Sequence, residues 1–488
     1  MFRNELKNSR SIDACSSEGF VKTGIVGLDN LVKGFPRGGL IVVKGNPGVG
    51  KTAFASSFIY NGITKLNEPG VYASFIEEEN SFYQYMNEFG YDLRVFRDKK
   101  MFRYLSIPTL LEPGIASFMD FTVEAIEEID AKRLVIDSFT VINQLFKSDV
   151  EARAFLHTLF SKIVKSLGCT TVLIKEESSA TGRGDFSYEE FIADSVISLK
   201  VDRIEDKFIR EMSIVKMRGN IVESPDNCFT LYKGFQVLTE TKFPKIIKPV
   251  RMTPLPDTEL SYSTGLSELD DLIGGYGKGS TILLEINPKV TKEQYRLIVW
   301  VCPANFIVKG RPMITLPGMG STMRDIDLFN DTFSISEEER TKLTKCFLPK
   351  TAVEAPRKYV VTYDPVEGID SLINNLEEAA ERLYQINGNP PIIILSIDSL
   401  VFNYPYNDVL RLLSRISTWT RKKNALLLLL DKSSHPELTV KLSSIASVHF
   451  KLLRKHGCLM FFGVKPRTPL YAVQTNKETP IPKLIPIV

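Results

Sequence analysis

The chain has 488 residues with 61 basic and 58 acidic side chains, a formal charge of +3 and a hydrophobic fraction of 43%. That length exceeds what one hydrophobic core usually organises and implies two or more domains. The near balance of charge excludes a global polycation built to coat nucleic acid or anionic lipid and leaves only local patches.

The six cysteines, Cys15, Cys169, Cys228, Cys302, Cys346 and Cys458, form no CxxC pair and have no histidine cluster beside them. This excludes the usual zinc spacings and fits buried thiols in a reducing compartment. The first twenty residues lack an apolar core of signal-peptide length, and the later apolar runs "RLIVWVCPANFIV" and "NALLLLLDK" are interrupted or short. A soluble cytoplasmic protein with no membrane segment is expected.

In chain order, "GLIVVKG" is a short β-branched strand, and "KTAFASSFIYNGITKL" has the apolar spacing of a helix. The pattern recurs: "GVYASFI" precedes "SFYQYMNEFG", "FRYLSI" precedes "FMDFTVEAIEEID", and "RLVIDS" precedes "EARAFLHTLFSKIVKSLG" and "TTVLIK". Such alternation predicts an α/β domain, a mostly parallel twisted sheet flanked by helices. The strand-like runs "DSVISLKV", "FIREMSIVKM" and "CFTLYKGFQVL" follow without helices between them and predict an antiparallel extension at one edge.

The chain also repeats itself. Thr23-Gly24, Asp29 and Asn46-Pro47 match Thr264-Gly265, Asp270 and Asn287-Pro288 at a constant spacing of 241 residues. "LVIDS" at Asp137 is echoed by "ILSIDS" at Asp398, and Lys216 and Arg218 of "VKMRG" by Lys465 and Arg467 of "VKPRT". Expected divisions are a tail over 1–14, a first domain over 15–240, a proline-rich linker over 241–258, a second domain over 259–475 and a tail over 476–488. The last tail, "ETPIPKLIPIV", is unsuited to helix, and the sequence leaves open whether it docks or is disordered.

"GNPGVGKT" fits G-x-x-x-x-G-K-[ST] between a predicted strand and a predicted helix. Gly45, Gly48 and Gly50 let the backbone curl so that the amides of Asn46, Pro47 to Val49 (Pro47 excepted) and of Lys51 to Ala53 can face phosphate at a helix N-terminus. Lys51 can reach the β- and γ-phosphates, and the Thr52 hydroxyl can ligate Mg²⁺. Asp137 closes an apolar strand, where a second metal-binding oxygen belongs. Glu77, Glu78 and Glu79 follow the next strand, and one of them can orient and deprotonate an attacking water.

These residues, together with "TGIVGLD", "YEEFIADSVISL" and "IVKMRG", resemble the RecA-superfamily ATPases, most closely the KaiC-like branch with tandem domains. The resemblance covers about 15–235 well and about 260–470 weakly. It implies ATP and Mg²⁺ as cofactors, a glutamate pair that activates water, and a homo-oligomeric, hexameric ring. In that ring Lys216 and Arg218 would reach the nucleotide of the neighbouring subunit. Counted without gaps, the pair falls on Ile76 and Glu77; a one-residue bulge places it on Glu77 and Glu78, and a recombinase-like alignment favours Glu79. Glu77 with Glu78 is the preferred reading, and slow turnover is expected.

In the second half the loop reads "INPKVTKE": Gly45, Gly48, Gly50 and Thr52 become Ile286, Lys289, Thr291 and Glu293, and Lys51 becomes Lys292. Added Cβ atoms and a carboxylate at the metal position predict a domain that keeps its fold and has lost ATP chemistry, a scaffold or a surface for a protein partner. "GRPMITLPGMGS" stands where the glutamate pair belongs and carries none. Lys465 and Arg467 are read as remnants or as packing residues.

Two other readings stay open, a DNA-binding recombination accessory ATPase and a nucleotide sensor that does not hydrolyse. The first needs a basic mobile loop. "ESSATGRGDFSYEE" offers Arg183 balanced by Asp185 and glutamates, so nucleic acid is disfavoured as a partner.

Overall fold

The structure is a computed structural model and describes residues 19–107, 114–144, 146, 148–177, 188–243, 248–353, 357–432, 436–475 and 479–488. Its contacts divide the chain into two compact units, Met1–Thr239 with Ile487–Val488, and Glu240–Pro486. Arg183 and Asp185 lie outside the described residues.

In the first unit the main sheet has the strands β1 Leu40–Gly45, β2 Gly70–Ser74, β3 Phe102–Ser106, β4 Arg133–Asp137, β5 Thr170–Glu176, β6 Ser195–Ile204, β7 Lys207–Met217, β8 Asp226–Thr230 and β9 Gln236–Leu238. They form a sheet in the order β9-β8-β7-β6-β1-β5-β4-β2-β3. From β6 to β3 every pairing is parallel, and from β6 to β9 every pairing is antiparallel. Both faces of the parallel part are covered. Along β1, Ile41 and Val43 pack with Phe54 and Phe58 of helix α1, Lys51–Leu66, while Leu40 and Val42 pack with Phe118, Phe155 and Leu156 on the other side. This two-sided burial is why the strand reads as a continuous apolar run.

Two devices fix α1 against the sheet. Asp29 accepts hydrogen bonds from Thr23 N at 2.9 Å, Thr23 Oγ1 at 2.8 Å and Gly24 N at 2.9 Å, folding the segment before β1 onto itself. Arg133, fully buried at the start of β4, donates to the carbonyls of Lys22, Thr23 and Phe58 at 2.6–3.0 Å and pairs with Glu68 at 2.7 Å. A buried cation persists only when its donors are satisfied, and here one side chain ties the segment, α1 and β4 together.

The second unit carries β10 Thr281–Ile286, β11 Met313–Leu316, β12 Thr344–Pro349, β13 Val360–Tyr363, β14 Ile392–Ser396, β15 Leu426–Asp431, β16 Val448–Lys455, β17 Cys458–Lys465, β18 Tyr471–Thr475 and β19 Pro482–Pro486. The order is β13-β12-β11-β14-β15-β10-β16-β17-β18-β19, the first unit's order with one more parallel strand, β13, at the edge. Each unit is thus α/β with a mostly parallel sheet and an antiparallel extension, as the strand and helix pattern predicts. The aspartate of the repeat has the same task again: Asp270 accepts from Thr264 N at 2.7 Å and from Ser263 Oγ.

Two segments read as connections belong to this unit. In the expected linker, Met252 is buried in the core, and Thr241 Oγ1 donates to Val473 O at 2.8 Å. The C-terminal "IPKLIP" pairs antiparallel with β18 as an edge strand, the position in a sheet that tolerates proline.

Candidate nucleotide site

The loop 45–52 leaves the C-terminal end of β1 and enters α1. Gly45, Gly48 and Gly50 have φ of 153, 78 and 110°, and a Cβ at Gly45 would stand 2.2 Å from Leu199 O. Only glycine adopts this path without strain. Asn46, Pro47 and Gly48 are exposed at the crest, whereas Val49 and Ala53 are buried and hold the loop to the core. Gly50 caps α1 with no side-chain hydrogen bond, so the first amides of the helix point outward as donors for an anion.

Lys51 is buried at the loop, where its Nζ donates to Gly45 O at 2.9 Å and Asn46 O at 2.8 Å. Burial holds its pKa below the usual lysine value, against the opposing fields of Glu176, Asp137 and Glu177. Thr52 Oγ1 donates to Asp137 Oδ2 at 3.0 Å, and Tyr72 OH donates to the same oxygen at 2.7 Å. Burial raises the Asp137 carboxyl above its usual range, against the hydrogen bonds from Tyr72 and Thr52 and the charge of Lys51. Thr52 and Asp137, two oxygen donors at the loop, are a donor set that suits a hard cation which keeps water and phosphate as its other ligands. Among the described residues no group of three or more His, Cys, Asp or Glu could hold a metal by itself.

The three glutamates have separate fates. Glu77 is half-buried, its amide donates to Ser74 Oγ at 3.0 Å, and its carboxyl is raised by burial and then by the charge of Asp137. Glu78 is exposed as the N-cap of helix α2, Glu79–Glu88. Glu79 accepts from Tyr83 OH at 3.2 Å and pairs with Arg97 at 3.3 Å, which turns it toward the helix face. Ile76, where a gapless count expected a glutamate, is 58% exposed.

Lys216 and Arg218 lie elsewhere. Lys216 pairs with Val196, which pairs with Val42 near the start of β1, whereas the loop leaves the far end of that strand. Lys216 Nζ donates to Phe191 O at 2.8 Å and Glu190 O at 3.2 Å, and exposed Arg218 pairs with Asp194 at 3.1 Å. The fold therefore does not bring these two cations to the loop of their own unit. Residues the sequence did not single out do reach it. Arg210 Nη1 donates to Val49 O at 3.1 Å, Glu176 lies at the end of β5 within the field of Lys51, and Tyr72 reaches Asp137. Arg210 reads simply as one of the charges of the antiparallel extension, and only the register of β7 with its neighbours places it at the loop.

In the second unit β10 and the helix Lys292–Val299 start 241 residues after β1 and α1, so the two loops have equal length. Thr291 replaces the glycine cap with φ of −75° and makes a capping box: Gln294 N donates to Thr291 Oγ1 at 3.3 Å and Thr291 N to Gln294 Oε1 at 3.2 Å. Lys292 Nζ binds Asp325 Oδ2 at 2.6 Å and Gly320 O at 3.1 Å. The echo between Asp137 and Asp398 is corrected by strand register. Arg133 pairs with Gly70 and Ile392 with Met313 on equivalent strands, which puts Ser396 at the level of Asp137 and Asp398 two residues beyond, in the helix Ile397–Asn403. The similar strings match because each ends a strand, not because their aspartates coincide. Lys465 does repeat its counterpart: its Nζ donates to Ser443 O at 2.6 Å, the carbonyl in the register position of Glu190.

A glycine loop between a central parallel strand and a helix, with a lysine and a threonine–aspartate pair, defines a P-loop nucleotide-binding unit on a RecA-like sheet. The family model "ATPase: KaiC" matches residues 21–241. The circadian clock oscillator protein KaiC of Thermostichus vulcanus is 30% identical over 273 residues, 54% of this chain and 51% of that protein. The UPF0273 protein PH0284 of Pyrococcus horikoshii is 31% identical over 215 residues, 41% of this chain and 85% of that protein. The crystal structure of the KaiC-like protein PH0186 from the same organism matches at 30% identity over 45% of this chain and 99% of that one, with a TM-score of 0.41. The chain belongs to the KaiC-like family of RecA-superfamily P-loop ATPases. It spans about half the length of the KaiC proteins it matches. No helix among the described residues is long and apolar enough to cross a membrane.

Proposed function

We propose that the first unit binds Mg-ATP and hydrolyses it slowly at the interfaces of a hexameric ring of this chain, in the cytoplasm, and that the second unit is a non-catalytic scaffold or partner surface in a regulatory assembly. The observation that carries this reading is the convergence of Lys51, Thr52, Asp137 and Glu77 on one loop while Lys216 and Arg218 stand at the other end of the sheet. The α1 amides and Lys51 would bind the phosphates, and Thr52 and Asp137 would hold magnesium. The ion supplies charge neutralisation on the β- and γ-oxygens. Glu77, whose carboxyl is raised by burial and then by the charge of Asp137, would take a proton from the attacking water, with Glu78 beside it. Lys216 and Arg218 serve a nucleotide only on another copy, where they would offset transition-state charge once the ring is closed. Phe191 at 72% exposure, whose carbonyl accepts from Lys216, and Ile221 at 89%, three residues after Arg218, support a surface that another copy covers.

Counting sites by titration with a Mg-ATP analogue tests the reading. One site per chain is expected, lost in Lys51→Ala, and Glu77→Gln is expected to keep binding while turnover falls about 100-fold. Two sites, or hydrolysis and assembly unchanged by Lys51→Ala, would overturn it, and turnover stimulated by single-stranded DNA would favour the recombination reading instead.

A further inference from the structure

In the first unit Tyr72 pairs with Val135 on one side and Tyr104 on the other, and its ring packs 4.5 Å from that of Phe82. At the equivalent ladder positions the second unit has Thr315 between Ile394 and Cys346, so two rings have become a hydroxyl and a thiol. Thr315 lines a cleft of about 90 Å³ whose apolar walls include Met313, Phe329, Ile394 and Leu430. The cleft is smaller than the cavities, on the order of 150 Å³, that admit an aromatic ring, and suits a chain of a few carbons.

Its polar side carries a surplus of positive charge. A spacing of four puts Lys292 and Arg296 on one helix face, and both line the cleft. They share one carboxylate: Asp325 Oδ2 accepts from Lys292 Nζ at 2.6 Å and from Thr322 N at 2.9 Å, and its Oδ1 accepts from Arg296 Nη2. Lys432, over the ring of Tyr295, is paired with Asp398 at 3.5 Å and leaves that sum unchanged. Arg296 is only 6% exposed, its guanidinium lies 5.0 Å from the centre of the Trp300 ring, and its Nε and Nη1 make no hydrogen bond among the described residues. A buried cation with unused donors is costly, and a carboxylate is its strongest hydrogen-bonding answer. A cation would be repelled here, a neutral molecule would leave the surplus unanswered, and a phosphate dianion would exceed it beside Asp325. One monoanion brings two cations and two carboxylates into balance.

We propose that this cleft binds a small aliphatic monocarboxylate, its carboxylate accepting from Arg296 and its short chain lying against Met313, Ile394 and Leu430. The degenerate unit then has a ligand of its own that is not a nucleotide, and the site stands whether or not the first unit hydrolyses ATP.

Both tryptophans, Trp300 and Trp419, lie in this unit. In the full chain carrying Trp419→Phe, emission comes from Trp300 alone and can be titrated at constant ionic strength with isobutyrate, isobutyramide, acetate and inorganic phosphate. The expected result is a saturable change with isobutyrate, at least about tenfold tighter than with its uncharged isostere isobutyramide, a difference of about 1.4 kcal/mol. Acetate, which lacks the chain, and phosphate are both expected to bind more weakly than isobutyrate. Arg296→Gln is expected to remove the preference for isobutyrate over isobutyramide. If that variant does not fold, Thr315→Tyr tests the same cleft by filling it while keeping Lys292, Arg296 and Asp325, and is expected to abolish the response. The ranking of the four probes needs neither variant. No saturable response to isobutyrate overturns the proposal, as does isobutyramide binding as tightly. Acetate or phosphate binding at least as tightly as isobutyrate would make the cleft a general anion site and also overturns it, as does an unchanged preference in folded Arg296→Gln or an unchanged response in folded Thr315→Tyr.

Discussion

The loops 45–52 and 286–293 leave equivalent strands and enter helices after the same number of residues, and they treat the helix N-terminus in opposite ways. In the first, Gly50 caps α1 without a side chain and Lys51 stays at the loop. In the second, Thr291 and Gln294 cap the helix reciprocally and Lys292 turns to Asp325. The difference teaches that the sheet, not the glycine loop, holds this fold. The orphan amides of a helix need acceptors, and either a bound anion or the chain itself can supply them. Once the chain does so, the loop can lose its glycines while β10 keeps its neighbours β15 and β16.

The comparison breaks most sharply under exchange of the loops. Replacing residues 45–52 with "INPKVTKE" is expected to abolish ATP binding, with Ile286's Cβ brought against the Leu199 carbonyl. The reverse exchange is expected to give the second unit no hydrolysis, because Ser396 stands at the level of Asp137 and the segment after β11, Pro317 to Ser321, has no carboxylate. Turnover and site counting on both chimaeras measure this; hydrolysis in the second unit would show that the loop alone decides. Next in size is Arg133, whose ladder counterpart is Ile392. Arg133→Met leaves Glu68 and three carbonyls without their donor and is expected to cost about 3–5 kcal/mol of the first unit's stability, read from denaturant midpoints. The tryptophan signal of the second unit should not move.

The smallest effect is a difference in acid response. Asp137 and Glu77 have raised pKa values, so their contribution to stability is present at low pH and lost as pH rises through the folded values. Asp325 has a lowered value, with Lys292 and Arg296 outweighing its burial, and Glu339 is pulled down to about 2, chiefly by its hydrogen bonds from Arg251. Their contribution is present above the unfolded carboxylate range and lost as pH falls toward the folded values. Between pH 5 and 3 the tryptophan-reported urea midpoint is expected to fall, modestly because Arg251 and Glu339 are partly exposed. Glu339→Gln should flatten that fall. With Glu77 as the proposed base, the acid limb of turnover should lie above the ordinary glutamate range.

Much of this was legible in the sequence because it is local or periodic. The repeat at 241 residues marks the same strand, loop and helix in both units, and Asp29 and Asp270 recur because each closes the turn before the first strand. Lys51, Thr52 and Asp137 could be read because a loop motif and a strand end fix their places. What escaped depends on contacts between distant segments. Arg133 looks like the polar start of a strand until Lys22, Phe58 and Glu68 are brought around it. Tyr72 reads as one more aromatic in a strand, although its hydroxyl reaches Asp137. Asp398 misled because strings of similar letters need not share a register. Lys465, which the sequence leaves as a remnant or a packing residue, holds the Ser443 carbonyl just as Lys216 holds that of Glu190, a packing task that does not require a nucleotide.

The two caps also set two different clocks for deuterium. Behind the Thr291–Gln294 box, the amides of residues 291 and 294 are shielded whether or not any small molecule is present. At the start of α1, where glycine offers no such cover, labelling would run fast in the free protein and slow when a phosphate arrives. Exchange rates at these two short stretches of backbone would therefore report, without any turnover assay, which half of the chain is waiting for something to bind.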